Sequence, residues 1–449
     1  MTSLVKLNLR SLPKKVFLLI LLVYPLFCYL GIKTIDKNEE ILALVCIGLL
    51  LFRIVEIYKS QSNLVIPIYV MFFGLFMVYT MLCGIFMSNY FIERGYKYFY
   101  TDSIWLTFIA LLIIENTFFS IKSLKFAKKI LEFTLVLAAI VSIIQISKPL
   151  FFVNDKVFVK GLSYDRMAEY YKNIPNTEIG AAWEAGMVDR FLGGYRSSIF
   201  SYIDPLSVGM DTLAIFSILI AFKSVNFISR IVFTLSTAIV SFLSSSRWII
   251  LGFLVVASQI FWVGRNKWRN LIYFVVSGVL LLLTLVIIAS FIGFDVEQYV
   301  TGRLMSDVAT TRLLAFEVFF EVFPENPIFG TGGVDTEKMV RLLGGRSSQI
   351  HVGFLKLFYY YGLVGGILYL SFMVTFLIRL RNMAIHSGYW GGFFAILAFF
   401  FANLTLFELS LFYYGPLLAI IFANHFYFNK TKDETVIFLN GKTAYSKSN

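Results

Sequence analysis

Two arginines in this 449-residue chain stand where helix electrostatics disfavours them. A helix N-terminus carries partial positive charge and prefers an acid in its first turn. Arg247 lies in SSSRW, Ser244 to Trp248, at the expected start of an apolar span. Arg312 lies in the first turn of an expected helix over 310–323, TTRLLAFEVFFEVF. Both placements make sense if an anion binds. Unpaired backbone N–H groups, the hydroxyls of Ser245 and Ser246 and a guanidinium then converge on it. The competing reading of Arg247 is a cation snorkelling to the membrane interface beside Trp248. That of Arg312 is a solvated charge paired with Asp307 or Glu317.

Other residues could join such a site. His351, in SSQIHVGFLKLFYYYGLVGG, has an ordinary pKa near neutrality, suited to taking or holding a proton, or is a plain surface histidine. Of the remaining histidines, His386 is expected in a cytoplasmic loop and His425 near the inner end of the last span, both structural. Arg196, in GGYRSSIFSYIDP, is a third candidate cationic contact or a loop charge. The segment FPENPIFGTGG, Phe323 to Gly333, has the prolines and glycines of a tight irregular turn. It lacks the Gly-Lys-Ser/Thr of a phosphate-binding loop. Glu115 and Asp211 are acids inside expected spans, near span ends. No acidic cluster and no His/Cys/Asp set with metal spacing is visible in the sequence, so neither a metal nor another cofactor is expected.

What positions these residues is a membrane bundle. Hydrophobic residues make up 58% of the chain and charged residues 15%, which excludes an ordinary soluble enzyme. The apolar residues come in long runs, unlike the alternation of a porin-type barrel. The fold class is all-α: a polytopic helical membrane protein, with about twelve spans in one domain over 1–449. The spans run roughly over 14–32, 40–57, 64–87, 103–121, 130–150, 205–222, 230–243, 247–263, 270–292, 356–378, 388–407 and 409–427. Two longer loops are expected outside, 151–204 and 293–355, the second carrying the amphipathic helix 310–323. In that helix Leu313, Phe316, Phe320 and Phe323 share a face, with Glu317 and Glu321 elsewhere; Thr310 or Asp307 could cap it and Pro324 ends it. With the N-terminus in the cytoplasm, the short inner segments hold Lys and Arg in clear excess over acids, while the outer segments are nearly neutral. The net charge of +12 thereby fixes topology and calls for no nucleic acid. Both termini are expected in the cytoplasm. Cys28, Cys46 and Cys83 all fall in spans and read as small buried hydrophobes.

The order of the motifs is informative. A serine-arginine span junction comes first. A long external loop follows, with an arginine-led helix running into a Pro-Gly turn. A histidine then opens HVGFLKLFYYYGLVGG. This series, over about 240–370, resembles the Wzy-type O-antigen polymerase and O-antigen ligase superfamily. Two departures stand out: Tyr360 and Tyr361 occupy a stretch where relatives often hold an acid, and Gly353 stands where many have Asn or Tyr. The resemblance implies a fold related to GT-C glycosyltransferases. It also implies glycan transfer from undecaprenyl pyrophosphate at the outer face of the bacterial cytoplasmic membrane. By position, Arg247 and Arg312 are then expected at the pyrophosphate and His351 at the reacting centre, with Arg196, Ser245 and Ser246 as further substrate contacts.

The expected function is polymerisation of lipid-linked oligosaccharide repeat units for a surface polysaccharide such as O-antigen, capsule or exopolysaccharide. The alternatives are a ligase moving the finished chain to lipid A core or another acceptor and, further off, a lipid-glycan transporter. Expected partners are the undecaprenyl-pyrophosphate-linked oligosaccharide, membrane lipids, and flippase and chain-length regulator proteins.

Overall fold

A computed structural model describes residues 12–29, 38–59, 64–87, 103–147, 206–222, 224–244, 247–262, 309–332, 336–343, 350, 352–403 and 414–439, with single residues between 268 and 287. Among them the secondary structure is helical. The helices are α1 (Leu12–Tyr29), α2 (Asn38–Lys59), α3 (Ile68–Met87), α4 (Ser103–Glu115), α5 (Ile121–Ser147), α6 (Leu206–Ile220), α7 (Phe227–Leu243) and α8 (Arg247–Ala257). They continue as α9 (Ala309–Val322), α10 (Thr336–Leu342), α11 (Gly353–Ser387), α12 (Gly391–Ala402) and α13 (Tyr414–Leu439).

These helices are apolar on the side they bury and on the side they expose. In α3, Tyr69, Phe73 and Phe76 are buried, while Ile68, Met71, Leu75, Val78, Leu82 and Phe86 form an exposed stripe at helical spacing. A soluble helix would put charge on that stripe; an all-round apolar helix belongs in lipid. The same holds for α11, where Ile367, Val374, Ile378 and Ile385 are exposed. It holds too for Trp268, Ile272, Val275, Val279, Leu283 and Ile287, helical residues exposed at the same spacing. By length and composition α3 and α11 can each cross a membrane, and several other described helices are shorter and apolar. The chain is thus a many-helix protein consistent with a helical membrane protein. Cys46 and Cys83 are buried as expected.

Successive helices run antiparallel, which gives the bundle two ends. Glu115, at the end of α4, meets Tyr69 at the start of α3 and Arg379 near the end of α11. Trp248, at the start of α8, meets Gly209 at the start of α6, and Asp211 of α6 meets Gly415 at the start of α13. We refer to the Glu115 end and the Trp248 end. Between them α3 and α11 pack through rings: Tyr69 stacks on Phe376 with centroids 4.4 Å apart, and Phe73 lies 4.7 Å from Phe372.

Several boundaries differ from the sequence expectation. α5 starts at Ile121, not 130, because Ser120 caps it: its Oγ accepts from the Ser123 N–H at 3.2 Å. Lys122, Lys125, Lys128 and Lys129 therefore ride on a helix, and Lys128 pairs with Glu132 at 3.0 Å. α4 is shorter than the span 103–121, ending at Glu115, and α11 is longer than the span 356–378. His386 consequently sits in the last turn of α11 and not in a loop. The spans beyond these bounds, like the loop 151–204, fall outside the described residues.

Candidate functional site

The turn FPENPIFGTGG is fastened into a break in α11. At Gly362 the helix leaves helical geometry, with φ 59° and ψ −164°. The interruption releases two carbonyls and two N–H groups, and the turn takes all four. Thr331 N–H donates to Tyr359 O at 3.0 Å and Gly332 N–H to Tyr360 O at 2.8 Å. In return Leu363 N–H donates to Pro327 O at 2.9 Å and Val364 N–H to Ile328 O at 3.1 Å. A buried backbone group needs a partner, so turn and break stabilise each other. Gly330 and Gly362 meet at this junction with positive φ, and a Cβ on either would strike the other strand's backbone. Tyr79 adds a bond from its hydroxyl to Phe329 O at 2.9 Å. The turn is scaffold, as its composition indicates, and it holds α9 and the start of α11 at the Trp248 end.

α8 begins at Arg247, as the sequence requires. Ser244 closes α7: its backbone N–H donates to Val240 O and its hydroxyl to Ser241 O at 2.7 Å. Only three residues, Ser244 to Ser246, separate α7 from α8, so the serines at 245 and 246 precede a helix start whose first N–H groups have no intrahelical acceptor. Trp248 follows in the first turn and is 6% exposed. Its ring rests on α6 where Gly209 leaves room; a Cβ there would lie 2.6 Å from the ring.

Arg312 lies in the first turn of α9, as expected, but Thr310 lies inside the helix and does not cap it. The face that α9 buries against the bundle is Ala315, Val318, Phe319 and Val322, and it differs from the apolar face through Phe316 and Phe320 read from the sequence. Those two rings are exposed, Phe320 by 68%, beside Glu317 and Glu321. Small residues allow closer approach to the bundle, and the rings are left for the surroundings. The helix ends at Val322, and a short turn through Pro324 follows.

Arg247 and Arg312 are helix residues, at the start of α8 and in the first turn of α9, and their side chains fall outside the described set. Arg196, Ser245, Ser246 and His351 lie outside the described residues altogether. Of the neighbours of His351, Ile350 and Val352 are both buried, and Val352 precedes the first residue of α11. α12 packs on both α8 and α11, meeting α11 where Phe400 lies 6.1 Å from Phe372.

Two buried ionisable residues at the Trp248 end escaped prominence in the sequence. Lys356, in the second turn of α11, is buried, with its ammonium 5.2 Å from the Tyr360 ring. A lysine four residues after a helix start resembles any other in sequence. Asp211 is buried, and its carboxylate accepts the Gly415 N–H at 2.6 Å, fixing the start of α13 to α6. That contact gives Asp211 an anchoring role.

The Glu115 end is organised differently. Glu115 accepts from Tyr69 Oη at 2.7 Å, from Asn424 Nδ2 at 3.3 Å and from Arg379. Four helices meet on one carboxylate. Next to it Asn116 bonds both backbone groups of Val65, at 2.8 and 2.9 Å, and its carbonyl accepts from Arg53, which also pairs with Glu56. His425 Nδ1 lies 3.1 Å from Phe119 O and Nε2 2.7 Å from Asn429 Nδ2, a structural setting.

Residues 231–370, from the first turn of α7 into α11, match the family model described as O-Antigen ligase. None of the curated proteins compared with the chain matches it. The matched stretch holds Arg247, Arg312, the Pro-Gly turn, His351 and the break at Gly362. Residues 231–370 are therefore similar to the O-antigen ligase family, consistent with the Wzy and O-antigen ligase superfamily.

Proposed function

We propose that the chain polymerises lipid-linked oligosaccharide repeat units at the outer face of the bacterial cytoplasmic membrane. A growing glycan moves from undecaprenyl pyrophosphate to a hydroxyl of another lipid-linked unit. The observation that carries this reading is the start of α8 at Arg247, inside the matched family domain. A helix start led by arginine is an anion site in search of an anion, and a pyrophosphate leaving group supplies one.

In this reading the acceptor hydroxyl attacks the anomeric carbon of the donor. The bond from that carbon to the pyrophosphate oxygen breaks, and its electron pair leaves with the pyrophosphate. The hydroxyl proton passes to His351, acting as base. Arg247 and Arg312 hold the departing pyrophosphate by bidentate contacts and stay charged throughout. They stabilise charge that develops only as the bond breaks, which is the interaction that accelerates the step. Ser245, Ser246 and Arg196 add contacts, and aromatic residues of 151–204 stack on sugars. The Trp248 end faces outward and both termini lie in the cytoplasm. A flippase that delivers the donor and a chain-length regulator are the fitting protein partners.

The second reading is a ligase that moves the finished chain to lipid A core or another acceptor. The description of the matched family favours it. Purified full-length chain given one lipid-linked repeat unit separates the two. A ladder of longer lipid-linked products supports the polymerase; no product until a second acceptor is added supports the ligase.

A further inference from the structure

Four side chains whose single polar atom is buried find no hydrogen-bond partner among the described residues: Trp105, Ser142, Ser241 and Trp248. All four lie near the Trp248 end of their helices. Trp105 is the third residue of α4, Ser142 stands near the end of α5, Ser241 in the last turn of α7, and Trp248 in the first turn of α8. A buried donor without an acceptor destabilises a fold, so a persistent one points to a partner that arrives from outside.

Trp248 is the one whose setting names that partner. Its indole Nε1–H can only donate. It follows Arg247 directly, in a turn whose backbone N–H groups and dipole favour negative charge. Ser241, across the three-residue link, holds a second unpartnered hydroxyl. The Trp248 indole N–H and the Arg247 guanidinium can only donate, and the oxygens of a phosphate accept from both.

We propose that Trp248 is a substrate-binding residue whose indole N–H donates to a phosphate oxygen of the lipid pyrophosphate at the start of α8. The assignment rests on the reading that this helix start binds the pyrophosphate. A ring that serves only to fill space against Gly209 would keep its function without the N–H.

Trp248→Phe tests this, because it keeps an aromatic ring against α6 and removes the donor. The full-length protein in nanodiscs is titrated with undecaprenyl pyrophosphate by calorimetry, beside Arg247→Ala, with the melting temperature of each recorded. The expected result is a Kd raised about tenfold in Trp248→Phe, with its melting temperature unchanged or raised, since no intramolecular bond is lost. If Trp248→Phe binds as the parent does while Arg247→Ala binds weakly, the assignment of Trp248 is overturned and the pyrophosphate reading stands. If both bind as the parent does, that reading fails and takes the assignment with it. Should Trp248→Phe lower the yield of folded protein, benzothienylalanine at 248, with sulfur in place of the N–H, gives the same readout at constant shape.

Discussion

The two ends of the bundle treat buried polar groups differently. At the Glu115 end polar side chains answer one another, so that Tyr69, Arg379 and Asn424 converge on one carboxylate and Asn116 is bonded on both sides of its amide. At the Trp248 end Asp211 is satisfied by a backbone N–H, but Trp105, Ser142, Ser241 and Trp248 keep buried polar atoms unpaired. In an apolar surrounding unpaired groups are costly; at the Glu115 end Arg379 Nε and Asn424 Oδ1 stay unpaired, but on side chains whose other polar atoms are bonded, whereas Trp105, Ser142, Ser241 and Trp248 have no second polar atom to bond. The Glu115 end holds helices together. The Trp248 end, where α8 starts at Arg247, is the end at which the proposed site is drawn.

This contrast can be broken by substitution. The largest expected effect is on stability, from Glu115→Ala, which takes the acceptor from part-buried Arg379 and buried Tyr69 and costs about 1–3 kcal/mol for each group left unsatisfied. Its melting temperature should fall well below that of the parent, while transfer activity per folded molecule stays within a few fold. Arg247→Ala should do the reverse. Loss of a transition-state contact lowers the rate about a hundredfold or more with the melting temperature unchanged, as a transfer assay beside thermal unfolding would show. Equal losses of stability in both variants would erase the distinction between the ends.

Gly362→Ala attacks the scaffold that joins the turn to α11. A left-handed position costs an L-residue about 1–3 kcal/mol, and the new Cβ meets Ile328 O. Stability and activity should fall together here, and preserved activity would mean that the turn does not set the site. The smallest effect belongs to Ser241→Ala. It removes a hydroxyl with no partner among the described residues and should shift stability by less than about 0.5 kcal/mol in chemical unfolding.

The sequence showed the arginine-led helix starts and missed the pairings, for physical reasons. The start of α8 was legible because Ser-Ser-Ser-Arg interrupts an apolar run, and hydropathy registers interruptions. The start of α5 was not, because hydropathy reads four lysines as the end of a span, while a helix capped by Ser120 carries them past it. The face of α9 that packs on the bundle was not legible, because apolar residues lie all round the helix: Ala315, Val318, Phe319 and Val322 are buried while Phe316 and Phe320 stay exposed. The cluster around Glu115 joins residues up to 309 positions apart, which no local pattern encodes. The break at Gly362 was invisible for a related reason. A glycine in GLVGG resembles any membrane-helix glycine until the turn from 327 to 332 is seen bonded into it.

The account turns on transfer at the Trp248 end. Purified full-length chain incubated with a single lipid-linked repeat unit, products resolved by length, tests it most directly against Arg247→Ala and His351→Ala. The account predicts lengthened lipid-linked products from the parent, and their loss in both variants at unchanged melting temperature. Polymer yield unchanged in both variants would contradict it.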